Sequence, residues 1–158
     1  MLVGEQPGDQ EDLAGRPFVG PAGRVLDEAL EAAQIDRSAA FLTNCVKHFK
    51  HRARGKRRIH QRPAAGEIRA CRKWLEAEAG VVAPEVIVAL GASAARSLMD
   101  RATPIAANRG QLLESPLFSA PVLVTAHPSS ILRERDSQSR HAALEALCQD
   151  LRVAAHAA

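Results

Sequence analysis

Val86-Ile87-Val88-Ala89-Leu90-Gly91-Ala92-Ser93 is the stretch on which the fold turns. Its first five residues are all apolar, and three of them are β-branched. A run of this length with no polar alternation reads as a strand buried on both faces. Gly91 then allows a tight turn into a helix predicted from Ala92 to Met99. A strand apolar on both sides belongs inside a parallel sheet with helices above and below it.

The same reading extends in both directions. Met1-Leu2-Val3, Ala40-Phe41-Leu42-Thr43 and Pro121-Val122-Leu123-Val124-Thr125 are further strands, and Gln111 to Leu113 is a short β segment. Between them, Ala22 to Gln34 places Val25, Leu26, Ala29, Leu30 and Ala33 on one helical stripe. Pro21 suits the first turn of that helix. Glu67 to Ala79 aligns Ile68, Cys71, Leu75 and Ala79, and Arg140 to Ala155 aligns Leu144, Leu147, Leu151 and Ala155. Alternating strands and helices predict an α/β fold, a three-layer α/β/α arrangement around a central, mostly parallel four-stranded sheet. The first strand begins at Met1 and is short for a central strand, so the chain reads as shortened at its N-terminus.

The chain has 158 residues, which predicts one domain over 1–158. Its 46% apolar and 25% charged residues are ordinary for a globular protein. No apolar run approaches the roughly 20 residues of a membrane span, and no signal peptide is visible, so a cytoplasmic protein without membrane contact is the expectation. Three cysteines, Cys45, Cys71 and Cys148, with no Cys-x-x-Cys pair, make neither a disulfide framework nor a complete metal site. The net charge is only +3, but its distribution is uneven. Lys47, Lys50, Arg52, Arg54, Lys56, Arg57, Arg58 and Arg62 crowd one segment, with His48, His51 and His60 and no acidic residue. This basic loop lies between two core elements, and a tethered basic loop suits a polyanion such as nucleic acid.

In an open parallel sheet, ligand groups gather at the carboxyl ends of the strands. The first strand runs into Gly4-Glu5-Gln6-Pro7-Gly8-Asp9, the second into Asn44, and the last into Ala126-His127-Pro128-Ser129-Ser130. A carboxylate, an amide and an imidazole are thereby predicted to share one crevice. Each residue also has a plainer reading. Glu5 could be a solvated turn carboxylate, Asn44 a turn residue, His127 a loop residue and Phe18 a core aromatic. His60, ending a Lys-Arg-Arg run, fits a phosphate contact on its own.

Gly4 to Asp12, followed by Gly15-Arg16-Pro17-Phe18-Val19-Gly20-Pro21-Ala22-Gly23, resembles the first motif of the iron–sulfur (family 4) uracil-DNA glycosylases. Thr43-Asn44, Ala70-Cys71-Arg72, Leu90-Gly91 and His127-Pro128-Ser129-Ser130 follow in that family's order. Gln6 and the insert Gly55-Lys56-Arg57-Arg58-Ile59-His60 resemble the branch called uracil-DNA glycosylase X, which attaches covalently to uracil-containing DNA.

That resemblance implies a set of roles. Phe18 stacks on uracil, and Asn44 reads its edge with a donor and an acceptor. Gln6, Gly8 and Asp9 also contact the substrate, with the backbone near Gln6 and Gly8 approaching the base. His127 stabilises the departing base, Glu5 the sugar cation, and His60 is the nucleophile. Lys56, Arg57, Arg58, Ser129 and Ser130 contact phosphates, the three cations of the insert doubling as loop anchors. The implied partner is uracil-containing DNA, single-stranded, met by a monomer. The family also implies a [4Fe-4S] cluster on four ligands. Cys71 and His48 match two of them, and the upstream cysteine pair that supplies the others does not occur in this sequence. A non-catalytic uracil-DNA binding module lacking its cluster is the competing reading. A general nucleotide-binding α/β protein lacks a Gly-rich phosphate loop in the right place.

Overall fold

A computed structural model describes residues 1–158. Four parallel strands make the sheet: β1 (Leu2–Gly4), β2 (Leu42–Asn44), β5 (Ile87–Leu90) and β7 (Val122–Thr125). A two-residue strand, β6 (Leu112–Leu113), pairs antiparallel with β7 and adds a fifth at the edge. The spatial order is β2-β1-β5-β7-β6. Helices cover both faces in a three-layer α/β/α arrangement, and the β segment expected at Gln111 to Leu113 is the extra edge strand.

Side chains alternate across this sheet with period two, and both faces are covered. Leu2, Val88, Leu90 and Leu123 face one layer, packing with Val25, Leu26 and Leu30 of α2 (Pro21–Ala32) and with Leu147 and Leu151 of α7 (Ser137–His156). Val3, Ile87, Ala89, Val122 and Val124 face the other. There they meet Ile68, Cys71 and Leu75 of α3 (Ala65–Val82) and Ala94, Ala95 and Leu98 of α4 (Ala92–Met99). Helix α7 starts earlier than its apolar stripe suggests, because Asp136 caps it by accepting from the Ser139 N–H. Ala154 is buried in place of Ala155.

The basic loop is not a loop. It folds back as an antiparallel hairpin, β3 (His51–Arg54) with β4 (Arg57–His60), around a two-residue Gly55-Lys56 turn. Gly55 has φ +59°, a conformation that glycine adopts without a Cβ penalty. The hairpin lacks an apolar face, so no hydrophobic alternation announces it. Its support is Phe49, buried below it, with the His51 ring stacked at 4.9 Å and the Arg58 guanidinium 5.2 Å from the ring centre. Two further helices complete the site's surroundings: α1 (Asp9–Ala14), which falls inside the first motif, and the single-turn α6 (Pro128–Ile131). A four-residue helix, α5 (Ile105–Asn108), precedes β6. No helix is long and apolar enough to cross a membrane.

Candidate active site at the carboxyl edge of the sheet

The chain passes from β1 to β2 on one side and then crosses over to β5 on the other side of β1, so the sheet's order reverses beside β1. Crevices form at such points. A cavity of about 560 Å³ opens there, at the carboxyl ends of β1, β2, β5 and β7. Glu5, Gln6, Gly8, Phe18, Asn44, His60, His127 and Ser129 all line it. The fold thus gathers eight of the residues singled out above.

Asn44 ends β2 and is buried. Its backbone carbonyl accepts from the Lys47 ammonium at 2.8 Å, which also donates to Thr43 Oγ1 and to Glu78 Oε2 at 2.6 Å. Lys47, one of the cations of the basic run, is therefore a clamp on the end of β2. Phe18 is buried beside Asn44 with φ +55°, a strained conformation for an aromatic residue. Two features hold it. Arg37 donates to its carbonyl at 3.2 Å, and a Cβ on Gly23 would stand 2.0 Å from that oxygen. Gly4 lies between the pair: a Cβ there would stand 2.4 Å from Asn44 Oδ1 and 2.6 Å from Phe18 Cζ.

His127 caps α6 with its side chain. Its Nδ1 accepts from the Ser129 backbone N–H at 3.1 Å and lies 2.8 Å from Ser129 Oγ. A backbone N–H can only donate, so Nδ1 carries a lone pair and the ring proton is on Nε2. Burial pushes the imidazole down to about 4; among the smaller effects, Glu5 and Glu11 oppose the shift while Arg133 and His60 reinforce it. His127 is therefore a neutral N–H donor at physiological pH.

Glu5 follows β1, with its side chain 22% exposed. Its Oε1 lies 3.2 Å from His60 Nε2, and its Oε2 accepts from Ser93 Oγ. Gln6 lines the cavity too, and its side chain is taken up by the protein itself. Its Nε2 donates to the carbonyls of Lys50 and Gln61, and its Oε1 accepts from the Lys50 N–H. Those residues flank the hairpin, so Gln6 buckles its base next to His60. Arg58 fastens the other side, reaching Asp9 and Asp12 at 2.6 Å each.

The other expected residues lie outside the cavity, apart from Ser129, whose hydroxyl is engaged by the protein. Asp9 is exposed and paired with Arg58, outside the cavity lining. The Arg58 guanidinium is an anchor facing two carboxylates, while Lys56 and Arg57 stand exposed at the hairpin tip without acidic partners. Ser129 Oγ is engaged by His127 and by Arg133 at 3.2 Å, and Ser130 Oγ donates to the His127 carbonyl. Cys71 is buried in the apolar layer and His48 is exposed before the hairpin. No group of three or more His, Cys, Asp or Glu side chains is gathered to hold a metal. The residues present do not fit a [4Fe-4S] cluster.

Three lining residues had no role assigned from the sequence, Glu11, Ser93 and Arg133, and Arg62 had one only as a member of the basic run. Glu11 accepts from the Gly20 N–H at 2.6 Å, tying the two halves of the first motif together. Ser93 had a signal in its spacing, two residues beyond the glycine that ends β5. Arg133 is four residues beyond Ser129, one helical turn.

Fold and site define a three-layer α/β/α protein with a polar cavity at the switch point of its sheet, lined by two carboxylates, two carboxamides, two imidazoles and a buried aromatic. The chain belongs to the Uracil DNA glycosylase superfamily, whose family model matches residues 1–152. A type-4 uracil-DNA glycosylase from Thermotoga maritima is 38% identical over 146 residues, covering 92% of this chain and 72% of that protein. A type-4 enzyme from Pyrobaculum aerophilum is 36% identical over 140 residues, covering 85% and 68%. A third, from Archaeoglobus fulgidus, is 33% identical over 138 residues, covering 84% and 66%.

Proposed function

We propose that this chain cleaves the N-glycosidic bond of uracil in DNA and captures the deoxyribose on His60, as in the uracil-DNA glycosylase X branch that its insert resembles. The similarity to proteins named type-4 uracil-DNA glycosylases supports the substrate and the bond. The uracil leaves the base stack and enters the cavity. Phe18 offers a ring face, and the Asn44 carboxamide, absent from the protein's own side-chain hydrogen bonds, is free to read the base edge. As the bond from C1′ to the base breaks, its electron pair departs with uracil. The Nε2–H of His127 donates to the carbonyl oxygen on which that charge collects.

The sugar is left as an oxocarbenium cation beside the Glu5 carboxylate. A ring nitrogen of His60 adds its lone pair to C1′, giving a substituted imidazolium. That cation loses its remaining N–H proton, and Glu5 is the base in reach. Carboxylate adducts in glycosidases are displaced by water. Here the leaving group would be imidazolide, which departs poorly, so the adduct persists and each molecule reacts once. Lys56 and Arg57 meet phosphates at the exposed hairpin tip. We assign residues 1–158 to one domain, acting as a monomer in the cytoplasm. Single-stranded DNA is the favoured substrate, because its bases are the least costly to extrude.

The observation that carries this reading is the 3.2 Å approach of His60 Nε2 to Glu5 Oε1 at the cavity wall. The test is incubation with a single-stranded uracil oligonucleotide and denaturing electrophoresis. A denaturation-resistant band is expected from the wild-type chain and none from His60→Ser. An undiminished adduct in His60→Ser removes the nucleophile assignment. Alkali-labile strands without a shifted band mean ordinary turnover, and intact unshifted strands mean a binding module.

A further inference from the structure

We propose that Ser93 is a positioning residue for Glu5, holding the carboxylate so that one oxygen faces His60 and the sugar. This rests on the reading that Glu5 acts at the sugar. The two oxygens of Glu5 have different surroundings. Oε1 lies 3.2 Å from His60 Nε2. Oε2 accepts the hydroxyl proton of Ser93 at 2.5 Å, with Arg62 Nε more distant at 3.9 Å. The terminal torsion of a glutamate is soft and nearly two-fold, so a carboxylate without such a tether swings. Arg62 cannot take over the tether, since its side chain is 70% exposed at the cavity rim.

Ser93 is well placed to hold something still. It is 2% exposed and is the second residue of α4, whose start is wedged against the site. Gly91 turns the chain into that helix with φ +92°, and a Cβ on it would stand 2.9 Å from the His127 Cβ. The beginning of α4 is therefore fixed relative to both Glu5 and His127. One turn further along the same helix, Ser97 is fully buried and its hydroxyl has no partner. Ser97 provides the matched comparison, since its removal deletes a buried hydroxyl that touches nothing in the site.

The test is single-turnover kinetics on a uracil oligonucleotide, recording released uracil and the covalent band from the same samples. Ser93→Ala is expected to slow uracil release about 10- to 100-fold, the scale of a misplaced catalytic group, with the half-saturating DNA concentration changed less than about twofold. Ser93→Thr, which keeps the hydroxyl, is expected to recover most of the rate, and Ser97→Ala to match the wild type. Wild-type speed in Ser93→Ala overturns the proposal. So does equal slowing in Ser97→Ala, or a loss that lies wholly in DNA binding. Uracil release without a shifted band removes trapping alone, and a slow Ser93→Ala then still upholds the positioning role. A wild-type chain that releases no uracil overturns the underlying reading and this proposal with it.

Discussion

Replacing Gly4 by alanine should disable the site while leaving the fold standing. The added Cβ would lie 2.4 Å from Asn44 Oδ1 and 2.6 Å from Phe18 Cζ. Ordinary van der Waals contact needs about 3.4 Å or more, so each group must retreat by about 1 Å. Both are the far ends of side chains and can move without breaking β1. Overpacking of this kind costs about 1–3 kcal/mol, against a total stability of about 5–15 kcal/mol. For a chain of this size, Tm should fall by about 2–12 °C, and the protein stays folded at 25 °C. The rate should suffer more. A shift of about 1 Å in groups that hold the substrate costs about 100-fold. Gly66 in α3 is the control, because a Cβ there meets nothing within 4 Å and alanine favours the helix. Thermal unfolding by circular dichroism and single-turnover uracil release together read both effects. A Gly4→Ala chain that works within threefold of the wild-type rate, or one that does not fold, refutes the packing argument.

Arg58→Ser removes both carboxylate contacts and the cation over Phe49. Because these ion pairs lie near the surface, Tm should move by less than about 3 °C, while covalent capture slows by about tenfold or more as His60 loses its anchored hairpin. A normal capture rate would show that the hairpin is held in other ways. His127, pushed down to about 4 by burial, should stay neutral from pH 5 to 8. Its folded value lies below the ordinary 6.5, so the unfolded chain takes up the proton first. This group therefore leaves stability intact above about pH 6.5 and erodes it progressively as pH falls towards about 4. An NMR titration of the His127 ring with a midpoint above 6 contradicts the neutral-donor assignment.

The alternation of apolar strands and striped helices was legible because it follows from burial on two faces of one sheet. Val86 to Leu90 and Val122 to Thr125 have no polar residue to face water other than Thr125 at a strand end, so they could only be interior strands. The same logic put Glu5, Asn44 and His127 at strand ends, where a parallel sheet exposes its loops. The hairpin carried no such signal. Its residues are mostly polar and, Arg58 apart, exposed, and what shapes it is a turn glycine together with distant partners: Gln6 at its base, Asp9 and Asp12 beside it, and Phe49 below.

Sequence alone determined the layers, the strand order's alternation with helices, and which loops share an edge, because hydrophobic period and strand direction are local properties. Tertiary structure decided the division of labour among the polar groups. Lys47, Arg58 and Gln6 looked available for DNA or base, and each is engaged by protein atoms. Ser93 looked like an ordinary helix residue, and it meets Glu5 from 88 positions away. Whether a charge or hydroxyl is free or occupied depends on what folding brings within about 3 Å of it, and residue type and spacing do not encode that distance.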